Sequence, residues 1–572
     1  MQKKMLYTLV AVIVAVIIIA GAAAVVLLAP APHPKYALDL WYNNTNHYGD
    51  TEQSLATVLK ADIETCGRVT VNLKSDTWAV YKQNWANQRM PLFLLGWYPD
   101  YFDTDDYVSP FLSVAGAASL GSFYNNSQVD QWVTQEQSTV DPALRTTLFQ
   151  QIQNKLADDV PYVPLFTGNA HVAYVDTVKN VVLHPVSFKW FIVNKPGATE
   201  LNASTTDTIV TLDPASAYDY FSTEVIWNVF DNLIVYDPWT TELRPGLATQ
   251  IPTIANGGVS ADGMNYTYHL RQGIKFSDNT DLNATVVKRS IDRVIRLDLA
   301  GSAAFLLYDV GALTANHLGG SDTAAGTITV APNNLDITFH LKRPVSFFND
   351  LMAFTVSAPV PWWYDQAGEQ PSTVPNVVGS GPYKLTQHVQ DQLVVFDRNQ
   401  YYYARDLYAN IPVNPIPQIP IMERVTLNIR GSGGAAALKQ DIETKAVDVA
   451  YRTLTPTDLT DLQTRQTTLG IKVDIGASPQ IRYLVFNVNK IPDVRIRQAI
   501  AYSVNRANIR SIVFNGQVNP LYSMVPPSFP YQSPVFQAKY GAAPQCTQAN
   551  ALLNTAGYYI RLPGIWIARD NR

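Results

Sequence analysis

Single compact cores stop growing near roughly 250–300 residues, so a chain of 572 residues is expected to fold as two or three lobes. Apolar residues at 47% against 16% charged, with 31 Tyr, 11 Trp and 36 Pro, exclude a disordered chain and describe a turn-rich globular one. Lys and Arg number 42 against 47 acidic side chains, a net charge of −5 with no basic cluster, which excludes nucleic acid as a partner.

The chain opens with Lys3 and Lys4 before a run from Leu9 to Ala29 that holds no charge. At about 1.5 Å per residue a helix of this length spans the roughly 30 Å core of a bilayer, and it exceeds the apolar region of about 7–15 residues in a signal peptide. The small-x-small site Ala29-Pro30-Ala31 is followed by Pro32, a poor residue to cleave before. An uncleaved membrane anchor is expected, with the Lys pair cytoplasmic and everything beyond Pro30 outside. PAPHPK, residues 30–35, is a stiff spacer.

From Tyr36 the pattern becomes α/β. ALDLWYNN reads as a strand, TEQSLATVLKADIETCG as a helix with Leu55, Val58, Leu59 and Ile63 on one face, and VTVNLKS as an alternating strand. PLFLLGWY (91–98) is a continuous apolar run of strand length, as a buried sheet strand requires. The polar loop PDYFDTDDY follows at its C-terminal end, where open α/β sheets bind ligands. That loop sets Asp100, Asp103, Asp105 and Asp106 among Tyr98, Tyr101, Phe102 and Tyr107. The pattern alone is compatible with a solvated loop, a Ca²⁺ site, the carboxylate pair of a glycoside hydrolase, or an aromatic-walled pocket for a cation. Further on, 189–206 loses periodicity and gains Pro, Gly and small polar residues, the mark of a linker. NYTYHLRQGIKF (265–276) and DITFHLKRPVSFF (336–348) read as two similar strands, with His269 and His340 at equivalent places on a strand face.

Reactive chemistry leaves little trace. Cys66 and Cys546 lack CxxC or CxxxC spacing and read as two separate small apolar residues. The eight histidines never form HExxH, HxH or HxxxH, so no metal site is expected. RGSGGAAAL (430–438) lacks the Lys-Ser/Thr of a P-loop and reads as a turn; no GxSxG elbow or cysteine nucleophile is present, so neither an enzyme nor a cofactor is expected. Five Asn-x-Ser/Thr sequons, at Asn43, Asn125, Asn202, Asn265 and Asn283, are compatible with export.

Four segments resemble the landmarks of a known family, in its order. They are TLDPASAYDYFSTEVIWNVFDNLIVYDP (211–238), DGMNYTYHLRQGIKFSDNTDLNATVVKRSIDRV (262–294), GSGPYKLTQHVQDQLVVFDRNQYYY (379–403) and RYLVFNVNKIPDVRIRQAIAYSVNRANI (482–509). The chain is similar here to the family 5 extracellular solute-binding proteins, whose best-known members bind oligopeptides and dipeptides for ABC importers. It departs at Asn279, where the family usually has Gly, and at Thr285 and Val286, where it has an acidic pair. The stretch 36–196 also resembles the family, but its counterpart belongs at the C-terminal end of ordinary members. TQANALLNTAGY (547–558) normally leads straight into a strand like ALDLWYNN, so the order is circularly permuted; termini that lie close together make such a rearrangement tolerable.

The resemblance implies an α/β, two-lobed, type II periplasmic-binding-protein fold of class C, permuted, behind the N-terminal anchor. It divides the chain into an anchor and spacer 1–35, a second lobe 36–165 and 478–558, and a first lobe 166–190, 206–250 and 366–477. An extra subdomain 251–365, a linker 191–205 joining the old termini, and a tail 559–572 complete it. In peptide-binding members an Asp placed as Asp100 is in GWYPDY accepts the ligand's α-ammonium group; Trp97, Tyr98 and Tyr101 would wall the pocket. Gly379, Ser380, Gly381 and Tyr383 correspond to a loop that approaches ligand backbone, whereas Asp213 in TLDP would be structural. The implied partners are a peptide or other small solute and the permease subunits of an ABC transporter, with the protein a monomer held to the membrane by its N-terminal helix. Relatives on the same fold take sugars or nickel complexes. A hydrolase using Asp100 and Asp103, and a surface adhesin, are the readings from other classes.

Overall fold

The computed structural model describes residues 35–45, 48, 51–307, 328–411, 414–431 and 433–558. The anchor expected at 9–29 and the tail 559–572 lie outside them. Among the described residues no helix is long and apolar enough to cross a membrane.

Among the described residues sixteen strands follow in chain order: β1 (Tyr36–Asn43), β2 (Val69–Asp76), β3 (Leu92–Trp97), β4 (Tyr162–Val175), β5 (Glu200–Thr205), β6 (Ile234–Tyr236), β7 (Leu243–Pro245), β8 (Asn265–His269), β9 (Ile328–Val330), β10 (Asp336–His340), β11 (Tyr383–Val389), β12 (Leu393–Arg398), β13 (Arg424–Ile429), β14 (Val449–Tyr451), β15 (Ile471–Phe486) and β16 (Asn519–Pro520). The main sheet runs β11-β12-β13-β5-β14-β4-β15-β3-β1-β2, with β16 against β4. Pairing is parallel at β13–β5–β14 and at β3–β1–β2, and antiparallel through the middle and at the β11–β12–β13 edge. The fold is therefore α/β with a mixed sheet.

Two long antiparallel strands, β4 and β15, join the two ends of this sheet. Their register is regular from Ile471↔Val175 to Ala477↔Asn169, shifts across Ser478-Pro479-Gln480, and resumes at Ile481↔Thr167. The proline cannot donate to the ladder, which explains the interruption. Buried residues divide at the same place. Tyr162–Phe166 and Ile481–Phe486 belong to a core built from 38–166 and 481–553, whereas Val172 and Tyr174 belong to one built mostly from 172–451. A small third cluster packs Ala173, Ile471 and Val473 under the helix Pro456–Leu469, which a capping box of Thr455 and Asp458 starts and Gly470 in the left-handed region ends. The three-stranded sheet β8-β10-β9, with the helix Ala284–Leu297 packed on β9 and β10, projects from the second of the two large cores.

Two sequence expectations change. Residues 191–205 do not behave as a linker: Phe191, Ile192 and Val193 are buried, and β5 is a central strand between β13 and β14. Its buried small polar residues are bonded, Ser204 Oγ to Asp441 at 2.8 Å and Thr205 Oγ1 to the Arg452 carbonyl at 2.9 Å. Only 196–199 is an exposed turn. Cys66 and Cys546 are not separate; they form a disulfide across 480 positions. It staples the helix Cys546–Thr555 to the end of the helix Glu52–Thr65, beside the place where the described chain's ends meet. The Tyr36 and Tyr558 rings touch edge to face at 5.1 Å, and Arg68 Nη1 donates to the Tyr558 carbonyl at 3.2 Å.

Candidate ligand-binding cleft

A cleft of about 1550 Å³ lies between the two large cores. Its floor is the interrupted β4–β15 crossing, with Gly168, His171, Ser478 and Gln480, and its walls include Trp97, Tyr98 and Asp100 on one side and Tyr218, Tyr220 and Arg452 on the other. Burial on both faces explains the apolar run of β3, since Leu92, Phe93, Leu94 and Leu95 are all at most 2% exposed between β15 and β1. The run ends at Gly96-Trp97, and the chain turns into the cleft.

The loop after β3 is organised by Asp106. Its Oδ2 accepts from Trp97 Nε1 at 3.1 Å and from the Asp100 amide at 3.0 Å. Asp100, 8% exposed, then meets Tyr218, whose hydroxyl donates to Oδ2 at 2.8 Å; Oδ1 makes no hydrogen bond among the described residues. Burial pushes the Asp100 carboxyl up to about 7, with the Tyr218 bond opposing. The same burial, reinforced by the charge of Asp100, holds Asp106 well above the usual carboxylate range. Of the two carboxyls only Asp100 lines the cleft, with Asp106 behind it.

The other acids of the loop face elsewhere. Asp103 takes a bidentate bond from Arg145, at 2.6 and 2.8 Å, and Arg145 also bonds Glu136 at 2.9 Å. Asp105 accepts from Tyr101, Ser109 and Gln137. The acid–base pair of a hydrolase is thus not assembled: Asp103 is committed to an arginine and does not line the cleft.

Of the residues singled out in the sequence, Trp97, Tyr98 and Asp100 line the cleft together. Tyr101 is outside its lining, stacked on Phe347 at 4.7 Å and joining the loop to the opposite core. Gly379, Ser380, Gly381 and Tyr383 are also outside the lining. Close approach does require the glycines, but the backbone approached is the protein's own: a Cβ on Gly379 would lie 2.2 Å from the Val229 carbonyl oxygen, and the Gly381 amide donates to that oxygen at 2.9 Å. The buried Ser380 accepts from the Asp231 amide, and Tyr383 stacks on Phe396 inside the core. Asp213 is structural, as expected, locked to Arg293 by bonds of 2.6 and 2.7 Å.

Tyr218, Tyr220 and Arg452 were not singled out in the sequence. Tyr98 and Tyr220 pack ring to ring at 4.8 Å across the cleft, and the Arg452 guanidinium lies over Tyr220 at 4.1 Å and Tyr98 at 5.6 Å. Behind them Tyr451 donates to Glu224 at 2.8 Å, and burial pushes the Glu224 carboxyl up to about 7. The AYDYF pattern (217–221) sets two tyrosines two residues apart and was a readable signal; nothing in AYRTL (450–454) marks the arginine. Away from the cleft the two cores touch directly, the Phe102 amide donating to Tyr236 at 3.2 Å and the Ser346 amide to the Gln137 carbonyl at 2.8 Å.

Residues 242–565 match the family model for bacterial extracellular solute-binding proteins, family 5 Middle. This chain belongs to that family. Its curated relatives include the glutathione-binding protein GsiB of Escherichia coli (strain K12) and that of Salmonella typhi, each 28% identical over 358 residues, or 61% of this chain. The match takes in 59% of each relative, so the chain spans about three-fifths of their length. Among solved structures, it is similar to the murein tripeptide binding protein MppA of Escherichia coli, with 21% identity, a TM-score of 0.45 and coverage of 63% of this chain and 67% of that one. It is similar also to an oligopeptide-binding protein of Borrelia burgdorferi, with 20% identity, a TM-score of 0.47 and the same two coverages.

Proposed function

We propose that this protein is an extracytoplasmic receptor that captures short peptides for an ABC importer by closing two lobes around the cleft, without chemistry on the ligand. The observation that carries the reading is Asp100: a carboxylate set in the cleft wall, one oxygen held by Tyr218 and the other unbonded among the described residues. A carboxylate enclosed on closure calls for a cationic partner, and an α-ammonium group supplies both charge and donors. Family membership and the peptide-binding names of relatives support the same class of ligand. Trp97 and Tyr98 would wall this subsite. Closure is then a ligand-driven population shift about the β4–β15 crossing, since only the closed form contacts the solute from both sides.

The finer organisation belongs to the same proposal. The second lobe is 36–165 with 478–558, the first is 166–250 with 366–477, and 251–365 is the extra subdomain. The permuted order is supported by the contact of Tyr36 with Tyr558 and by a sheet in which β1, early in the chain, pairs beside β3 and β15. A disulfide suits an exported protein, because thiols stay reduced in the cytosol. Residues 9–29 would hold the monomer on the outer face of the membrane; a chain beginning at Lys35 should be soluble and monodisperse, and its aggregation would remove the anchor from the reading.

Calorimetry with a short peptide and its N-acetylated form tests the ligand. Removing one partner of an enclosed charge pair costs roughly 2–5 kcal/mol, so at about 1.4 kcal/mol per decade acetylation or Asp100→Asn should each weaken binding at least tenfold. Equal affinity for both forms in the unaltered protein would defeat the assignment of Asp100.

A further inference from the structure

We propose that this protein carries a latch outside its cleft, a patch where the first lobe and the extra subdomain hold the second lobe firmly enough to keep the cleft shut before any ligand arrives. The proposal rests on the two-lobed reading above and does not depend on which solute the cleft takes.

None of the residues that build the patch lines the cleft. From the second lobe come the loop after β3 and the end of the helix Ser127–Ser138; from the other side come residues 343–350 and Tyr236. The Tyr101 ring stacks on Phe347 at 4.7 Å, with the two planes 8° apart. Beside this stack the Tyr236 hydroxyl accepts from the Phe102 amide at 3.2 Å and donates to Asp350 at 3.4 Å. Tyr101, Phe347 and Tyr236 are all buried, so the stack and its neighbour are closed to water.

A second strip of the patch uses a helix end. The last carbonyls of a helix have no partner within it. Here those of Glu136 and Gln137 are taken from across the divide by Ser346, its hydroxyl at 3.3 Å and its amide at 2.8 Å. Arg343 donates to the Gln137 side chain at 2.9 Å, and Gln137 in turn donates to Asp105 of the loop at 2.9 Å.

The loop is fixed to its own lobe, so it transmits the contact. Phe102 stacks on Phe529 at 4.0 Å, and the Thr104 hydroxyl donates to the Pro530 carbonyl at 2.6 Å. At the far end Tyr107 donates to the Pro479 carbonyl at 2.5 Å, inside the interruption of the β4–β15 crossing. One loop therefore carries Asp100 in the cleft, Tyr101 and Phe102 in the latch, and a bond to the crossing about which the lobes close. With the latch made, Asp100 stands against Tyr218 of the opposite wall.

Contacts that avoid the cleft are the same in the empty and the filled closed forms. They shift the balance between open and closed without favouring either ligand state. A solute must then wait for an opening to enter and for another to leave, so the latch slows association and dissociation together and leaves affinity nearly untouched.

The test is a distance measurement by electron–electron double resonance on the full chain in detergent, labelled at Gln83→Cys and Thr460→Cys. Both positions are exposed, on the helices Trp78–Ala86 and Pro456–Leu469, which reach the cleft from opposite lobes through Lys82 and Thr457. The native cysteines are bonded to each other and take no label. Without ligand the unaltered chain should give the short distance of the closed form, and Phe347→Ala should move the distribution to longer values. Tyr236→Phe, which keeps the ring and removes only the hydroxyl, should do so to a smaller extent, and it serves where Phe347→Ala folds poorly. A long distance in the unaltered, ligand-free chain would overturn the latch, as would a short one that neither substitution changes. With a tripeptide as probe, stopped-flow rates should rise together in Phe347→Ala, by about threefold or more, with affinity changing less than either rate. Faster dissociation with unaltered association would show that the patch forms only around a ligand, and would overturn the proposal. A tripeptide that does not bind at all would count against the peptide reading alone, because the ligand-free distances judge the latch by themselves.

Discussion

Breaking the Cys66–Cys546 bond, by Cys546→Ser or by a phosphine reductant, should destabilise the protein by an amount that the structure bounds. The bond spans 480 positions and closes almost the whole described chain into one ring. The loop-closure relation then assigns an unfolded-state restraint of about 6 kcal/mol at 25 °C, insensitive to the count because length enters as a logarithm. That figure is a ceiling; loss of a native disulfide ordinarily costs about 2–5 kcal/mol, and here other contacts persist. Ala549 and Leu553 stay buried, and Asn550 Nδ2 donates to the Cys66 carbonyl at 3.2 Å. Differential scanning calorimetry with and without reductant should therefore show the unfolding midpoint falling by several degrees, and limited proteolysis should reach the helix Cys546–Thr555 first. Thiol titration of the denatured, unreduced protein should find no free thiol. Two titrating thiols, or identical thermograms, would refute the pairing as a structural restraint.

Peptide affinity should fall as pH drops below about 7, by up to tenfold per unit, because Asp100 gains a proton there and a neutral carboxyl has no attraction for an ammonium group. It should fall again above about 8 as the ligand's own α-amino group loses its proton. Asp100→Asn should abolish the acid limb and flatten the alkaline one, since both depend on the same carboxylate, and an unchanged acid limb in that variant, followed by calorimetry across pH, would assign the titration to another group. Rearranging the chain to run 199–558, a loop of about 4–6 residues, then 36–198 should give a folded protein with unchanged ligand affinity, since the Tyr36 and Tyr558 rings already touch and 196–199 is an exposed turn. Failure of this chain to fold by circular dichroism would count against the permuted order.

Period and burial explain which parts of the fold the sequence discloses. The run LFLLGW announces a strand covered on both faces, and the helix Glu52–Thr65 shows its buried stripe at Leu55, Val58, Leu59 and Ile63. β5 fails the same reading because ELNAST carries few apolar side chains. What makes it a strand is a place between β13 and β14, more than 200 residues downstream, and hydrogen bonds from its small polar groups. The disulfide is hidden for a related reason: spacing rules detect cysteines joined locally, and 480 intervening residues leave no local pattern.

The cleft shows how far composition can carry a site. Four acids within seven residues marked the right loop but could not say where each points; the short turn Thr104–Tyr107 directs Asp105 and Asp106 inward, and an arginine 42 residues away claims Asp103. Asp100 alone is left to the cleft, and its selection depends on Asp106 holding its amide from behind. The glycine loop at 379–381 illustrates the converse, because the need for close approach was legible whereas the identity of the approaching backbone was not. Arg452 was the least visible residue, since its character comes wholly from neighbours brought in by three other segments: Tyr98, Tyr220 and Asp207. An arginine set beside two tyrosine rings and one carboxylate is a property of the assembled cleft and of no stretch of the chain.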